Sequence, residues 1–162
     1  MKKMNENGTN FDASPYIKLF IDKEGRWFQN GAEIIHPGIY RLFCDSLEQT
    51  SDGQYRIKIG RETCKVEVED APFVVKAIRD GVDGSLALLL NDGATDEFDP
   101  NGFWIAADGV PYCRVKGGRF RARFSRPAYY ALAQHVVEDN GAYYLELKGK
   151  RYVIRRESSD HD

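Results

Sequence analysis

One order of elements occurs twice along this chain of 162 residues, and it constrains the fold more than any other feature of the sequence. Each copy contains a turn and hairpin, a proline that opens a helix, a glycine, and a pair of strands with alternating apolar and polar residues. Five position pairs match at separations of 88 to 90 residues: Pro37/Pro127, Leu42/Leu132, Glu48/Glu138, Gly53/Gly141 and Tyr55/Tyr143. A repeated order of this kind indicates a duplicated supersecondary unit. The sequence therefore predicts an α+β fold of two duplicated subdomains, each an antiparallel sheet with one main helix.

The predicted boundaries follow from where this pattern begins and ends. Polar residues dominate 1–14, which we expect to be a flexible tail. The N-terminal α+β subdomain is predicted at 15–70 and the C-terminal one at 71–157, with a second tail at 158–162. A chain of this length can bury roughly 70% of its unfolded surface, so neither disulfides nor a metal are needed for folding.

The charge balance argues against several classes of partner. There are 23 basic and 25 acidic residues, and the net charge of −2 gives no general attraction to nucleic acid or to an anionic membrane. The longest wholly apolar run is 86–90, far short of the ~20 residues of a membrane helix. Three widely spaced cysteines suit reduced thiols. We expect a cytoplasmic protein without cofactor or metal and without a membrane or nucleic-acid partner.

The hairpin around Gly117-Gly118 is the strongest local candidate for a binding surface. A two-residue Gly-Gly turn fixes the register, so that Arg114 faces Arg121. Directly opposite residues share a face of the sheet, and like charges there destabilise by up to ~1 kcal/mol per pair. The face predicted from this register holds Tyr112, Arg114, Lys116, Arg119, Arg121 and Arg123. Three explanations stay open: neutralisation by the acidic stretch 92–99, binding of an anion, or a solvated basic face screened by salt.

Other candidate residues have a structural and a functional interpretation. Glu69 and Asp70 suit a carboxylate pair for acid–base chemistry or magnesium, but acidic side chains also cap turns at strand ends, which we favour. Phe73 is expected in the core, with stacking on a base as the alternative. The three histidines lack metal-site spacing, and the chain has no phosphate-binding glycine loop.

Several short motifs in one order connect the chain to a known family. They include Val68-Glu69-Asp70-Ala71-Pro72-Phe73, the stretch Gly25-Arg26-Trp27-Phe28, Arg41-Leu42-Phe43, Pro111-Tyr112 and Arg121-Ala122-Arg123. From about residue 17 to 155 the sequence resembles the bacterial domain of unknown function 1285 family. The resemblance implies an α+β fold of two duplicated subdomains, the second loosely similar to pleckstrin-homology folds. It also implies a nucleotide-like ligand in the cleft between them and a role in signalling or stress response.

Together these observations predict a non-catalytic module that binds a small anionic, nucleotide-like ligand. Arginine offers a fork of donors suited to phosphate, which favours Arg114, Arg121 and Arg123 as contacts. Tyr112 and Phe73 are candidates to stack on a base, and Glu69 or Asp70 to meet a ribose hydroxyl. The alternative is an adaptor whose basic hairpin meets an acidic protein partner. An enzyme is disfavoured because no nucleophile, metal set or phosphate loop is visible.

Overall fold

The computed structural model describes residues 17–158, together with the backbone of two short strands, β1 (Lys3–Met4) and β2 (Asn10–Phe11), which pair antiparallel. The chain divides into two compact units, residues 1–70 and 71–162. The first unit continues with β3 (Leu19–Ile21), β4 (Trp27–Gln29), β5 (Ala32–Glu33), α1 (Pro37–Ser46), β6 (Leu47–Gln49), β7 (Tyr55–Ile59) and β8 (Glu62–Val68). Of the predicted tails at 1–14 and 158–162, residues 1–2, 5–9, 12–14 and 159–162 lie outside the described residues.

One six-stranded sheet organises the first unit, in the order β5-β4-β3-β8-β7-β6. All neighbours are antiparallel except β3 and β8, which run parallel. Alternate residues of these strands are buried, as a half-buried sheet requires. Trp27 is fully buried and its ring packs 5.6 Å from that of Phe43 on α1. This helix therefore closes the apolar side of the sheet.

The second unit is larger and has two sheets. Its strands are β9 (Phe73–Asp80), β10 (Leu86–Leu90), β11 (Thr95–Glu97), β12 (Trp104–Ile105), β13 (Pro111–Val115), β14 (Phe120–Phe124), β15 (Val136–Asp139), β16 (Ala142–Leu147), β17 (Lys150–Val153) and β18 (Arg155–Arg156). A short 3-10 helix spans Pro100–Gly102, and α2 spans Arg126–Ala133. The seven-stranded sheet has the order β11-β10-β9-β14-β13-β12-β18, and β15-β16-β17 form a separate three-stranded sheet.

The core of the second unit lies on one face of the large sheet. Phenylalanine rings fill it in close edge-on and tilted pairs, among them Phe73 with Phe120 at 5.3 Å and Phe103 with Phe124 at 5.5 Å. Leu132 of α2 and Leu145 of the small sheet are each 1% exposed. Ser125 caps α2 by accepting a hydrogen bond from the Ala128 N–H at 3.3 Å, and Pro127 follows in the first turn, where its missing N–H costs nothing.

The apolar spacing from Ile39 to Leu47 and from Tyr129 to Val137 predicts helices over these residues, and both helices of the structure are shorter. Leu47, expected on α1, begins strand β6, and Val136 and Val137, expected on α2, lie in strand β15. Each of these strands pairs at once with the next one, as in Leu47 opposite Ile57. β-branched residues fit a pleated strand better than a helix, and the hairpin pairing outweighs the helical spacing.

The sequence predicts that Asp52-Gly53 and Asn140-Gly141 stop the two helices, but in the structure both turns join strands. At Asn140-Gly141 both residues have positive φ, 52° and 80°, which is the two-residue turn of a tight hairpin between β15 and β16. Gly53, with φ of 85°, lies in the turn between β6 and β7. The Gly117-Gly118 turn, with φ of 69° and 82°, connects β13 and β14.

The two units share an order of elements but not a sheet arrangement. In each, a hairpin leads to a proline-started helix and then to three consecutive antiparallel strands: β6-β7-β8 in one and β15-β16-β17 in the other. In the first unit the last of these strands joins β3, so that one sheet results. In the second unit the three strands stay separate, and β14 pairs parallel with β9. The structure is a mixed α+β fold with mostly antiparallel sheets.

Candidate functional site

The face of the large sheet opposite its phenylalanine core carries arginines and two large rings. The strand register places Trp104 directly opposite Tyr112 on one neighbouring strand and Arg155 on the other. Tyr112 in turn lies opposite Arg123. Arg114 lies opposite Arg121, as the Gly-Gly turn predicts. Because directly opposite residues share a face, all six belong together. We call this set the basic face: Trp104, Tyr112, Arg114, Arg121, Arg123 and Arg155.

Arginines and rings alternate on the basic face. The guanidinium carbon of Arg121 lies 5.1 Å from the centre of the Tyr112 ring, and that of Arg114 lies 5.8 Å from the Trp104 ring. The two rings stack on each other at 5.6 Å with an angle of 21°. Each arginine contacts the ring diagonal to it in the register, so neither guanidinium needs to point at the other. Cation–π contacts of this type contribute about 0.5–2 kcal/mol each and offset the repulsion of the pair.

Lys116 does not share this face, contrary to the prediction. It has φ of 58°, in the left-handed region, and the strand alternation ends there. Its ammonium group lies 5.1 Å from the ring centre of Phe73, in the phenylalanine core, and 2.6 Å from Oδ2 of Asp92. The Lys116 N–H also donates to Asp96 at 2.5 Å. Among the described residues, two carboxylates of the acidic stretch 92–99 therefore bind Lys116, whereas Arg114 contacts the Trp104 ring.

A groove of about 500 Å³ opens beside Trp104 within the second unit. Its lining combines three arginines, two aromatic rings and a single carboxylate: Asn101, Gly102, Phe103, Trp104, Arg114, Arg155, Arg156 and Glu157. Arg114, Arg155 and Arg156 are exposed, and their guanidinium groups form no hydrogen bond or ion pair with any residue that the structure describes. Other arginines already form ion pairs with carboxylates, among them Arg26, Arg56 and Arg151. We call this cavity the arginine groove.

The other predicted contacts of the basic face are less accessible than expected. Arg121 and Arg123 are half-buried. Tyr112 is 6% exposed, held between the Trp104 ring and the Arg121 guanidinium, so its predicted role of stacking on a ligand base is corrected: its faces are already covered. Arg121 instead lines a smaller depression of about 290 Å³ that also includes Asp108 and Glu157.

Phe73 lies in the core and not in a binding site. It is 1% exposed, with Phe120 against its ring and the Lys116 ammonium above it. This agrees with the core interpretation and corrects the base-stacking alternative, because a stacking partner requires an open ring face.

Glu69 and Asp70 belong to the end of the first unit. An Oε2 atom of Glu69 accepts the Lys23 N–H at 2.6 Å, which ties the end of β8 to the turn after β3. In that turn Asp22 accepts the Arg26 N–H at 2.8 Å and the Arg26 Nε at 2.7 Å. The contact of Glu69 supports the turn-capping interpretation. The predicted ribose contact of Glu69 or Asp70 stays a prediction.

Sequence reasoning missed Trp104, Arg155 and Arg156 as site residues. A signal for Trp104 was present, because the Asp108-Gly109 turn folds β12 back on β13 and brings this ring beside Tyr112. No local signal was available for the two arginines. They join the sheet through the parallel pairing of β18 with β12, and a parallel partner cannot be inferred from turn chemistry.

Neither a metal-ligand cluster nor a reactive thiol at Cys113 is found among the described residues. No three His, Cys, Asp or Glu side chains among them come together as metal ligands would. Burial raises the pKa of the Cys113 thiol to about 12, with the nearby Asp96 charge adding to the effect, so this sulfur is not a nucleophile at neutral pH. Neither of the two α-helices in this part of the chain is long and apolar enough to cross a membrane.

Comparisons with known proteins support the fold. No protein-family model matches the chain, and no curated protein matches it in sequence. Among solved structures, the chain is similar to a DUF1285 family protein from Silicibacter pomeroyi, with a TM-score of 0.72 and 24% identity over 86% of this chain and 80% of that one. It is also similar to a DUF1285 family protein from Shewanella baltica, with a TM-score of 0.63 and 22% identity over 75% of this chain and 94% of that one. The resemblance expected from the short motifs is confirmed: this chain has the fold of two proteins of the DUF1285 family.

Proposed function

We propose that this chain is a non-catalytic module that binds a small anionic ligand in the arginine groove of its second unit. The observation that carries the proposal is the convergence of Arg114, Arg155 and Arg156 on one groove, none of them paired with a carboxylate among the described residues. The nucleotide-like ligand and the signalling or stress-response role implied by the family resemblance belong to this proposal.

The groove has the chemistry that a phosphate or carboxylate needs. Guanidinium groups donate paired hydrogen bonds to such anions, and a hydrogen bond to a charged group contributes about 1.5–3 kcal/mol. Phe103 and Trp104 supply apolar wall beside the arginines, which suits a ligand with a flat ring attached to its anionic group. The contact of Arg114 with the Trp104 ring holds that guanidinium in place before a ligand arrives.

Glu157 is the carboxylate of this lining, and it opposes an anion. Three arginines against one glutamate leave a local charge of about +2, so binding is expected to be favourable but weakened by Glu157. Glu157→Gln should therefore tighten anion binding. A nonspecific surface effect would not depend on this one residue.

The first experiment measures binding of ADP and of inorganic pyrophosphate by isothermal titration calorimetry at two salt concentrations. We expect saturable binding that weakens with salt, and a loss of about tenfold, or about 1.4 kcal/mol, for Arg114→Gln or Arg155→Gln. Arg79→Gln is the matched control, because Arg79 is an exposed arginine of the same unit outside the groove. Equal losses in all three variants, or no binding to the wild type, would contradict the proposal.

The second candidate is an adaptor that binds an acidic protein segment. It is favoured by the exposure of Arg114, Arg119 and Arg155, which leaves their charges accessible to a large partner. The small-ligand proposal is preferred because the arginines line a concave groove with aromatic walls and not a flat surface. A poly-glutamate peptide that binds more tightly than pyrophosphate, and loses affinity in Arg119→Gln, would favour the adaptor. Arg119 does not line the groove.

We also propose that the two units arose by duplication and that the second is related to pleckstrin-homology folds, as the family resemblance implies. The shared order of hairpin, proline-started helix and three strands supports the duplication. The different sheet pairing after the helix counts against a close structural match. A superposition of β3–β8 on β13–β17 that leaves α1 and α2 unaligned would reject the duplication.

A further inference from the structure

A second cavity in the same unit differs in character from the arginine groove. Its volume is about 410 Å³, within the range of small-molecule sites. All of its lining residues are apolar or aromatic except one arginine: Phe103, Ile105, Tyr129, Leu132, Ala133, Val136, Tyr143, Ile154 and Arg156. We call it the apolar pocket.

The pocket results from the way the chain changes sheets. Strand β17 belongs to the small sheet, but β18, which begins two residues later, pairs with β12 of the large sheet. At the crossing, the Ile154 N–H still donates to the Tyr143 carbonyl at 3.2 Å. The two sheets separate from this point, and α2 ends at Ala133 beside the gap. Side chains of both sheets and of the helix therefore border a space that none of them fills.

Arg156 lies at this pocket because of its register. It pairs with Ile105, whose side chain is on the core side of the sheet, whereas its neighbour Arg155 pairs with Trp104 on the basic face. Arg156 is exposed, and its guanidinium group forms no hydrogen bond or ion pair with the described part of the chain. Tyr129 and Tyr143 add two hydroxyl groups that can donate to an anionic oxygen.

We propose that the apolar pocket binds a monocarboxylate with a hydrocarbon tail, with its carboxylate on Arg156 and its tail against Leu132, Val136 and Ile154. A single cation in an otherwise apolar lining selects a ligand that is charged at one end only. This chemistry differs from that of the arginine groove, where three arginines favour a compact anion. Arg156 borders both cavities, so the test depends chiefly on residues that line only one of them.

The probe is the series hexanoate, octanoate and decanoate, below micelle-forming concentrations, titrated into the full chain by calorimetry. Each added methylene should tighten binding about fourfold, which corresponds to ~0.8 kcal/mol per buried CH₂. Decanol, which keeps the tail without the charge, should bind at least tenfold more weakly than decanoate. A flat dependence on chain length, or equal binding of decanol, would overturn the proposal.

Two pairs of variants locate the site. Ala133→Trp should fill the pocket and lower decanoate affinity at least tenfold, whereas Ala131→Trp, at an exposed position of the same helix outside the lining, should not. Arg156→Gln should weaken decanoate but leave decanol unchanged, and Arg79→Gln, at an exposed arginine outside both cavities, should leave both unchanged. Unaltered decanoate affinity in Ala133→Trp would overturn the proposal. Because pyrophosphate binding should survive Ala133→Trp, failure here is distinguishable from failure of the arginine groove.

Discussion

At the scale of single residues, the basic face shows how a sheet tolerates two arginines directly opposite each other. The Gly117-Gly118 register correctly predicts the opposition of Arg114 and Arg121, and it predicts that something must compensate for it. The structure adds a compensation that was not among the three expected explanations, because each guanidinium lies over a ring. Diagonal ring contacts depend on side-chain rotamers, which a register does not fix, so this solution could not be inferred from the sequence.

The contact of Arg121 with Tyr112 changes the stability expected of Arg121→Ala. The sequence alone suggests a neutral or stabilising effect through relief of repulsion. The structure predicts instead a loss of about 1 kcal/mol or more in the free energy of unfolding, since the side chain packs on the Tyr112 ring. A double-mutant cycle with Tyr112→Leu, measured by urea unfolding, should give a coupling of about 0.5–1 kcal/mol. A coupling near zero would show that the ring contact contributes nothing.

The ion pair of Lys116 and Asp92 has a buried carboxylate, so its loss should have a large effect on stability. The Asp92 side chain is 2% exposed and its Oδ2 lies 2.6 Å from the lysine nitrogen. Lys116→Met would leave this carboxylate buried without its cation, and we expect a loss of about 3 kcal/mol in unfolding free energy. Arg119→Met, in the same turn but exposed, should change stability by less than about 0.5 kcal/mol. Similar losses in both variants would show that the turn, not the ion pair, is being disturbed.

At the scale of elements, the strands and tight turns were easier to predict than the ends of the helices. Alternation and glycine turns predict β7, β9, β10 and the β13–β14 hairpin correctly. The helices were predicted too long because apolar spacing continues into the following strands, as at Val136. Over so few residues the same apolar spacing fits both a helix and a strand, and pairing with a later strand determines which of the two forms.

The two helices should differ in their sensitivity to truncation. The apolar spacing of the helices predicts that both Leu42 of α1 and Leu132 of α2 are core residues. Leu132 is 1% exposed, whereas Leu42 is only half-buried. Leu132→Ala should cost about 2–5 kcal/mol in unfolding free energy, and Leu42→Ala clearly less. Chemical denaturation of both variants checks the order. A larger loss for Leu42→Ala would mean that the helical face of α1 is assigned incorrectly.

The β3–β4 turn should make the stability of the first unit depend on acid pH. Burial opposes ionisation of Asp22, but hydrogen bonds from the Arg26 N–H and guanidinium and from the Glu24 N–H outweigh it and hold the pKa of this carboxyl below its ordinary value of 3.8. A lowered pKa in the folded state stabilises above the unfolded pKa, and the stabilisation is lost as pH falls through the folded pKa.

Comparison of the wild type with Asp22→Asn at pH 6 and pH 3 isolates this contribution. The wild type should be more stable at pH 6, and the difference in unfolding free energy should shrink at pH 3, because Asn has no proton to take up. A difference that stays constant between the two pH values would assign the stability to packing and not to the charge of Asp22.

At the scale of the whole molecule, the sequence predicts features formed by residues close together in the chain and misses those formed by distant segments. The α+β class, the basic hairpin and the resemblance to the DUF1285 family follow from turns, alternation and short motifs. The arginine groove does not, because Arg155 and Arg156 join it through a parallel strand pairing formed about 50 residues away from Trp104 in sequence. The residues that now carry the proposed function come from both sources, with Arg114 predicted and Trp104, Arg155 and Arg156 found only in the fold.

The two tryptophans of the chain provide the most direct test of the arginine groove. Trp104 lines the groove, whereas Trp27 is fully buried in the core of the first unit. In a proton–nitrogen NMR titration with ADP, the indole N–H signal of Trp104 should shift saturably and that of Trp27 should stay in place. The shift should disappear in Arg114→Gln combined with Arg155→Gln. A Trp104 signal that does not move, or that moves equally in this double variant, would contradict the account.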